Sequence, residues 1–337
     1  MIEKTIFTND KIKEVLAEEY DLNIVKIEHE DRGSSNIFYV YDEKNKRYVL
    51  KEFESRCTEK NILKEAEIIS FVKNRGINVP NYIKTKDDRY YIKYNNRIII
   101  LMDYIDGYTK EPNSGTYEQT MESAELFGKL TKILEDFEVI ENIEIEEWCS
   151  KSQLEKAHIK YKELISKLGD SDIELKIKSD FEYKIKLLDR LSTFDFSVIK
   201  KLTMKNCHGD FSIMQFLYKD EKVVAVLDFE RAKYIPVIWE IIRSYASIDE
   251  KCKDGDFCVD NFLDYVKVVR KYLDLNIYDI KYMPYVYLIK FAISTYGYVE
   301  YMENNDYTNL LNYAFWRTKM CKSIELILNE YNNKIAK

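Results

Sequence analysis

The run His208-Gly209-Asp210-Phe211-Ser212-Ile213-Met214-Gln215 concentrates groups able to do chemistry. Two short β-forming runs follow, Met214–Tyr218 and Lys222–Asp228, separated by Lys219-Asp220-Glu221, a pattern that predicts a hairpin. Asp210 then falls on the loop leading into the first strand, where a carboxylate can accept a proton from a hydroxyl. Gln215, at the start of that strand, offers an amide oxygen to a divalent cation. Asp228 ends the second strand in Val226-Leu227-Asp228-Phe229-Glu230 and is expected to emerge beside Asp210 as an oxygen ligand for magnesium. An isolated aspartate is ordinarily a turn or cap residue. Two that flank one tight hairpin are harder to assign that way.

The first third of the chain holds complementary groups. Gly33-Ser34-Ser35-Asn36 lies between two strand-forming runs, so its amides and the hydroxyls of Ser34 and Ser35 could cover a phosphate chain. Gly-Ser turns between strands are commonplace, and this one alone decides nothing. Lys51 falls inside the largely apolar strand Tyr48–Phe53, and Glu65 lies on the helix that follows. Each by itself reads as a surface charge. A strand-to-helix Lys–Glu pair would hold the ammonium against the α- and β-phosphates of ATP.

These groups need elements to position them. Before residue 107, alternating and β-branched runs predict strands at Asn23–Glu28, Asn36–Tyr41, Arg47–Phe53, Tyr82–Thr85, Tyr90–Tyr94 and Arg97–Met102. One helix, Thr58–Arg75, interrupts them, with Gly76 as its C-cap and Pro80 shortly after. After residue 107, apolar stripes at three- and four-residue spacing take over, in Ala124–Leu134, Leu154–Leu168 and Phe181–Leu191. Further helices are expected at Pro236–Ser247, Val259–Tyr272, Pro284–Met302 and Asn309–Asn329. The predicted fold is therefore α+β and bilobal: an antiparallel-sheet lobe with one helix over 1–106, and a larger, mainly helical lobe over 107–337. The joint is Met102-Asp103-Tyr104-Ile105-Asp106-Gly107.

Composition narrows the partners. Fifty-two Lys and Arg against 59 Asp and Glu leave a net charge of −7, which argues against a nucleic-acid binder. Three histidines and six scattered cysteines without C-x-x-C spacing indicate neither a zinc site nor a redox pair, and reduced thiols are expected. The first residues lack the apolar core of a secretory signal. Tyr282–Met302, the most membrane-like stretch, carries Lys290 and many tyrosines, so a cytoplasmic protein without a membrane partner is expected.

In order along roughly residues 20–250, the motifs resemble those of the aminoglycoside phosphotransferase and choline kinase-like superfamily, which has a protein-kinase-like fold. The matching segments are GSSN with FYV after it, Glu65 through Pro80, Ile100 through Gly107, HGDFSIMQ, VLDFERA, and Pro236 to Tyr245 with its Trp239-Glu240. The resemblance implies that Asp210 is the catalytic base or orients the acceptor hydroxyl, and that Asp228 binds Mg2+. It implies that Lys51 contacts ATP phosphates with Glu65 positioning it, and that the backbone of Met102, Asp103 and Tyr104 meets the nucleotide base. His208 is expected to shape its loop.

The family usually has Asn where this chain has Gln215, and one added methylene moves the second metal contact by about an ångström. The implied activity is ATP–Mg2+-dependent transfer of a phosphoryl group to a hydroxyl of a small molecule. GTP, the oligomeric state and the acceptor are left open. A cationic aminoglycoside fits the net charge, with Asp249, Glu250, Asp254, Asp256, Glu300 and Glu303 as candidate contacts. A choline- or homoserine-type metabolite kinase and a non-catalytic relative of the spore-coat kind are the alternatives.

Overall fold

The computed structural model describes residues 3–30 and 35–336, so Gly33 and Ser34 lie outside the described residues. The chain forms two compact units, one from 1–109 together with 215–232, the other from 110–214 together with 233–337.

The first unit is built on a six-stranded antiparallel sheet. Its strands are β1 (Ile24–Glu30), β2 (Asn36–Asp42), β3 (Arg47–Glu52), β4 (Tyr82–Ile83), β5 (Ile92–Tyr94) and β6 (Arg97–Asp103). The order is β1-β2-β3-β6-β4, with β5 also paired to β6. Phe38, Leu50 and Leu101 stand opposite one another across β2, β3 and β6. With Val40, Tyr48 and Ile99 they form one buried face. Strand alternation therefore turns Lys51, next to Leu50, to the opposite face.

A helix not expected from the sequence, α1 (Asn9–Tyr20), covers the apolar face with Ile12, Val15 and Leu16. Its start was legible: Thr8 accepts from the Lys11 N–H, and Asp21 at φ +55° stops the helix. The expected helix is α2 (Glu59–Lys73), entered through a Thr58/Asn61 capping box. The helix ends at Lys73, and the chain turns off at Gly76, the residue expected to cap it, with φ +94° and the Ile77 N–H returning to Val72 O at 3.1 Å.

The hairpin Phe216–Lys219/Lys222–Val226 completes this unit. Asp220 and Glu221 both have positive φ, the two-residue turn that suits strand twist. The strands are shorter than expected at the ends that matter. Ile213–Gln215 is a single 3-10 turn, so Gln215 precedes the strand, and the second strand stops at Val226. Asp228 lies beyond it in the left-handed region at φ +62°, where a ladder cannot continue. Tyr108 pairs with Tyr218 in both directions, at 2.9 and 2.8 Å. A Cβ on Gly107 would come 3.0 Å from Tyr218 O, which accounts for glycine there.

The second unit is mainly helical, with long helices at Tyr117–Leu134, Lys151–Ile165, Asp172–Leu191, Val237–Ile248, Val259–Val269, Ile277–Ile293 and Thr308–Ile335. An unexpected two-stranded antiparallel pair, Met204–Cys207 with Lys233–Pro236, flanks residues 208–232 in the chain. The expectation of a helix from Pro284 to Met302 is corrected. The helix starts at Ile277, runs through Pro284 and stops at Ile293, and a short helix, Tyr298–Glu303, follows. Pro284 has no N–H to give the Ile280 carbonyl. The buried Tyr331 hydroxyl donates to that carbonyl instead, which lets the helix pass.

At the far end of this helix, Tyr161 donates to Ala292 O and Ser294 O, and Lys184 donates to Phe291 O (3.0 Å) and Ser294 O (2.8 Å). These side chains satisfy carbonyls that the terminated helix leaves open. Among the described residues, no helix is long and apolar enough to cross a membrane.

Candidate active site

In the first unit, Lys51 is held in β3 with Ile37 and Ile100 opposite it, and it is only 7% exposed. Its Nζ donates to Asp228 Oδ1 at 3.2 Å and lies 3.7 Å from Glu230 Oε2. The ammonium also stands 4.5 Å from the centre of the Phe53 ring. Burial pulls the lysine pKa down, but Asp228, Glu65 and Glu230 outweigh it, so the group is held above the ordinary lysine value and stays charged.

Glu65 is buried on α2, and its Oε1 accepts the Phe229 N–H at 3.1 Å. The buried Tyr82 hydroxyl is a side-chain hydrogen-bond partner of the same carboxyl. Burial drives this carboxyl up, Lys51 opposes it and Asp228 adds to it, so the pKa is raised. Lys51, Glu65 and Asp228 are thus brought together. The direct bond of the ammonium goes to Asp228, while Glu65 grips the backbone just after it. Glu230 joins the cluster although sequence reasoning assigned it no role. Its signal was its place two residues beyond Asp228 in the same post-strand segment.

Gln215 is half-buried, and its backbone oxygen accepts the Leu227 N–H at 2.8 Å, tying the base of the hairpin next to Asp228. Met102 and Asp103 end β6, and Tyr104 follows it. The Asp103 N–H is donated to Asn81 O at 3.0 Å. Arg47 donates to the Tyr104 hydroxyl at 3.0 Å and lies over its ring. Arg47, Asp103 and Tyr104 border an open cavity of ≈ 560 Å³ that Lys46, Lys73 and Asn78 also line. Ser35 is buried at the entry to β2, and Ser34 lies outside the described residues.

In the second unit, Asp210 occupies a loop between the strand Met204–Cys207 and the 3-10 turn. Gly209 at φ +84° supplies the bend, and the Asp210 N–H donates to His208 Nδ1 at 3.3 Å. His208 is buried edge-on to Phe211, consistent with a loop-shaping part. Glu240, fully buried on helix Val237–Ile248, accepts the Phe211 N–H at 3.1 Å. One turn on, Arg243 donates to Asp210 Oδ1 at 3.2 Å and to Gly209 O at 2.6 Å. Arg243 was not foreseen. The available signal was its spacing of three from Glu240, which puts both on one helix face.

Among the described residues, no group of three or more His, Cys, Asp or Glu side chains could hold a metal ion unaided. The oxygen donors present, Asp228 and the Gln215 amide, suit Mg2+, which takes one or two protein ligands and completes its shell with phosphates and water. Asp228 and Glu230 share the single Lys51 ammonium, which leaves negative charge for a cation to offset. The residues therefore fit the group.

Residues 28–254 match the model of the phosphotransferase enzyme family. No curated protein sequence matches the chain at a significant level. Solved structures share its fold over nearly the whole length. A spectinomycin phosphotransferase in complex with ADP and spectinomycin has a TM-score of 0.69 at 13% identity, covering 95% of this chain and 99% of that one. An aminoglycoside phosphotransferase from Alicyclobacillus acidocaldarius has a TM-score of 0.68 at 13% identity, covering 98% of each chain. An ethanolamine kinase from Plasmodium vivax has a TM-score of 0.57 at 15% identity, covering 98% of this chain and 93% of that one. With a family model matched over most of its length and a kinase-like phosphotransferase fold throughout, this chain belongs to the phosphotransferase enzyme family.

Proposed function

We propose that the protein transfers the γ-phosphoryl group of ATP to a hydroxyl of a small molecule, with Mg2+ as cofactor. The observation that carries this reading is the buried Lys51 ammonium set among Asp228, Glu230 and Glu65. A lysine so surrounded stays cationic and is available to phosphate oxygens, while the surplus carboxylates suit a divalent ion. Bound Mg2+ would neutralise phosphate charge, with Asp228 and the Gln215 amide as its protein ligands. Met102, Asp103 and Tyr104 would offer backbone to the base, with the Asp103 amide already taken by Asn81. Ser34 and Ser35 would cover the phosphates. Asp210 would take the acceptor proton or orient the hydroxyl, a contribution of about 10²–10⁴-fold for positioned acid–base groups.

The acceptor is a small hydroxylated molecule of the kind handled by the structural relatives, an aminocyclitol or an amino alcohol. The acidic residues considered for a polycation are not all available. Asp249 is fully buried, bonding the Lys251 N–H and Asn261, and Glu300 accepts the Gly297 N–H. Glu250, Asp254, Asp256 and Glu303 are exposed, so a cationic acceptor keeps candidate contacts.

The test is a screen for phosphate transfer from radiolabelled ATP and Mg2+ to aminoglycosides, aminocyclitols and amino alcohols, with EDTA as control. Metal-dependent labelling of one acceptor class supports the reading. Normal nucleotide binding without transfer to any acceptor would contradict it.

A further inference from the structure

Arg243 departs from what a merely stabilising arginine does. Its guanidinium is about one-fifth exposed, yet its Nε is buried without a hydrogen-bond partner among the described residues. A buried unpaired N–H is a cost, so the placement of the side chain must be explained by its two terminal nitrogens. Both are engaged with the Asp210 loop. Nη2 donates to Gly209 O at 2.6 Å and Nη1 to Asp210 Oδ1 at 3.2 Å, while Glu240 Oε1 lies 3.5 Å from Nη2. The guanidinium also stands 5.7 Å from the centre of the Trp239 ring, which limits its swing.

We propose that Arg243 is a positioning residue for Asp210, a role that rests on the phosphotransferase reading above. One planar fork holds the backbone of Gly209 and the carboxylate of Asp210 together. Fixing Oδ1 sets the rotation of the carboxylate and so the direction in which Oδ2 is presented. Glu240 anchors the same loop one residue later through the Phe211 N–H. Together they bracket Asp210 from a single helix face. A lysine at 243 keeps the charge but cannot make two planar, divergent contacts, so geometry and charge are separable.

The experiment measures MgATP turnover with water as acceptor, and with any acceptor found in the screen, for wild type, Arg243→Ala and Arg243→Lys. Thermal unfolding is followed in parallel. The expected result is a kcat lowered about 10²-fold in Arg243→Ala, the loss that a misplacement of about 1 Å produces. KM for ATP should stay near wild type, and both variants should remain folded at the assay temperature. Millimolar guanidinium should restore part of the kcat while equal sodium chloride does not, and Arg243→Lys should remain impaired. Wild-type kcat in either variant would overturn the role. So would a loss that follows the fraction unfolded and resists guanidinium. If the Ala variant does not fold, the Lys variant decides between these results. Wild-type protein that transfers phosphate to nothing, water included, overturns the phosphotransferase reading itself and is thereby distinguished from a failure of Arg243 alone.

Discussion

Replacing Lys51 with Met removes one positive charge from among three carboxyl groups while keeping most of the side-chain volume. At an effective dielectric of about 20, two unit charges separated by the observed 3.2 Å interact by about 5 kcal/mol. Asp228 is 28% and Glu230 36% exposed in their side chains, so solvent weakens part of this. Breaking a buried pair by deleting one partner costs about 3–5 kcal/mol. The lower end, about 3 kcal/mol at neutral pH, is expected here.

The loss should depend on pH with a defined sign. Glu65 is already pushed up to about 7 from 4.5, first by burial, with Lys51 opposing. Without Lys51 it rises further. A carboxyl whose folded pKa exceeds its unfolded value binds a proton on folding, so its penalty is present above the folded pKa and fades as pH falls towards 4.5. Urea unfolding of wild type and Lys51→Met from mildly acid to mildly alkaline pH reads this directly. The gap should narrow on acidification, and ATP affinity at neutral pH should fall. An unchanged midpoint at neutral pH, or a gap that widens in acid, would refute the reasoning.

Other outcomes follow from the same geometry. Gln215→Asn withdraws the amide oxygen by one methylene, so the rate should drop by up to about 10²-fold and need more Mg2+; an Mg2+ titration of the transfer rate checks this. Lys184 is pushed down to about 7, mainly by burial and then by Arg317. The unfolded chain therefore binds more protons between about 7 and 10.5, and stability should rise there by up to about 1.4 kcal/mol per pH unit, a rise absent in Lys184→Met when unfolding is followed across that range. Tyr331→Phe leaves the Ile280 carbonyl without its donor and should cost about 1–3 kcal/mol in urea unfolding.

Much of the site was legible because its residues punctuate short, strongly patterned elements. The apolar run around Lys51 placed it in a strand, although its burial was not foreseen, and Gly76 marked the turn after the helix that carries Glu65. Motif order gave the α+β fold and the phosphotransferase family. Other features were hidden for physical reasons. α1 has a modest apolar stripe among charged residues, although its Thr8 cap was present. Pro284 read as a helix start because the hydroxyl that rescues Ile280 O comes from Tyr331, far along the chain. Periodicity cannot show such a tertiary donor. Arg243 was overlooked because an arginine on a helix is usually solvated, and only the folded loop reveals what its guanidinium holds.

The most direct measurement compares wild type with Asp210→Asn in two assays on the same protein, ATP–Mg2+ binding by calorimetry and phosphoryl transfer to the acceptor found by screening. The account predicts nearly unchanged nucleotide binding and a loss of transfer of at least about 10²-fold, the lower bound for a positioned acid–base group. Equal transfer by the two proteins would contradict it.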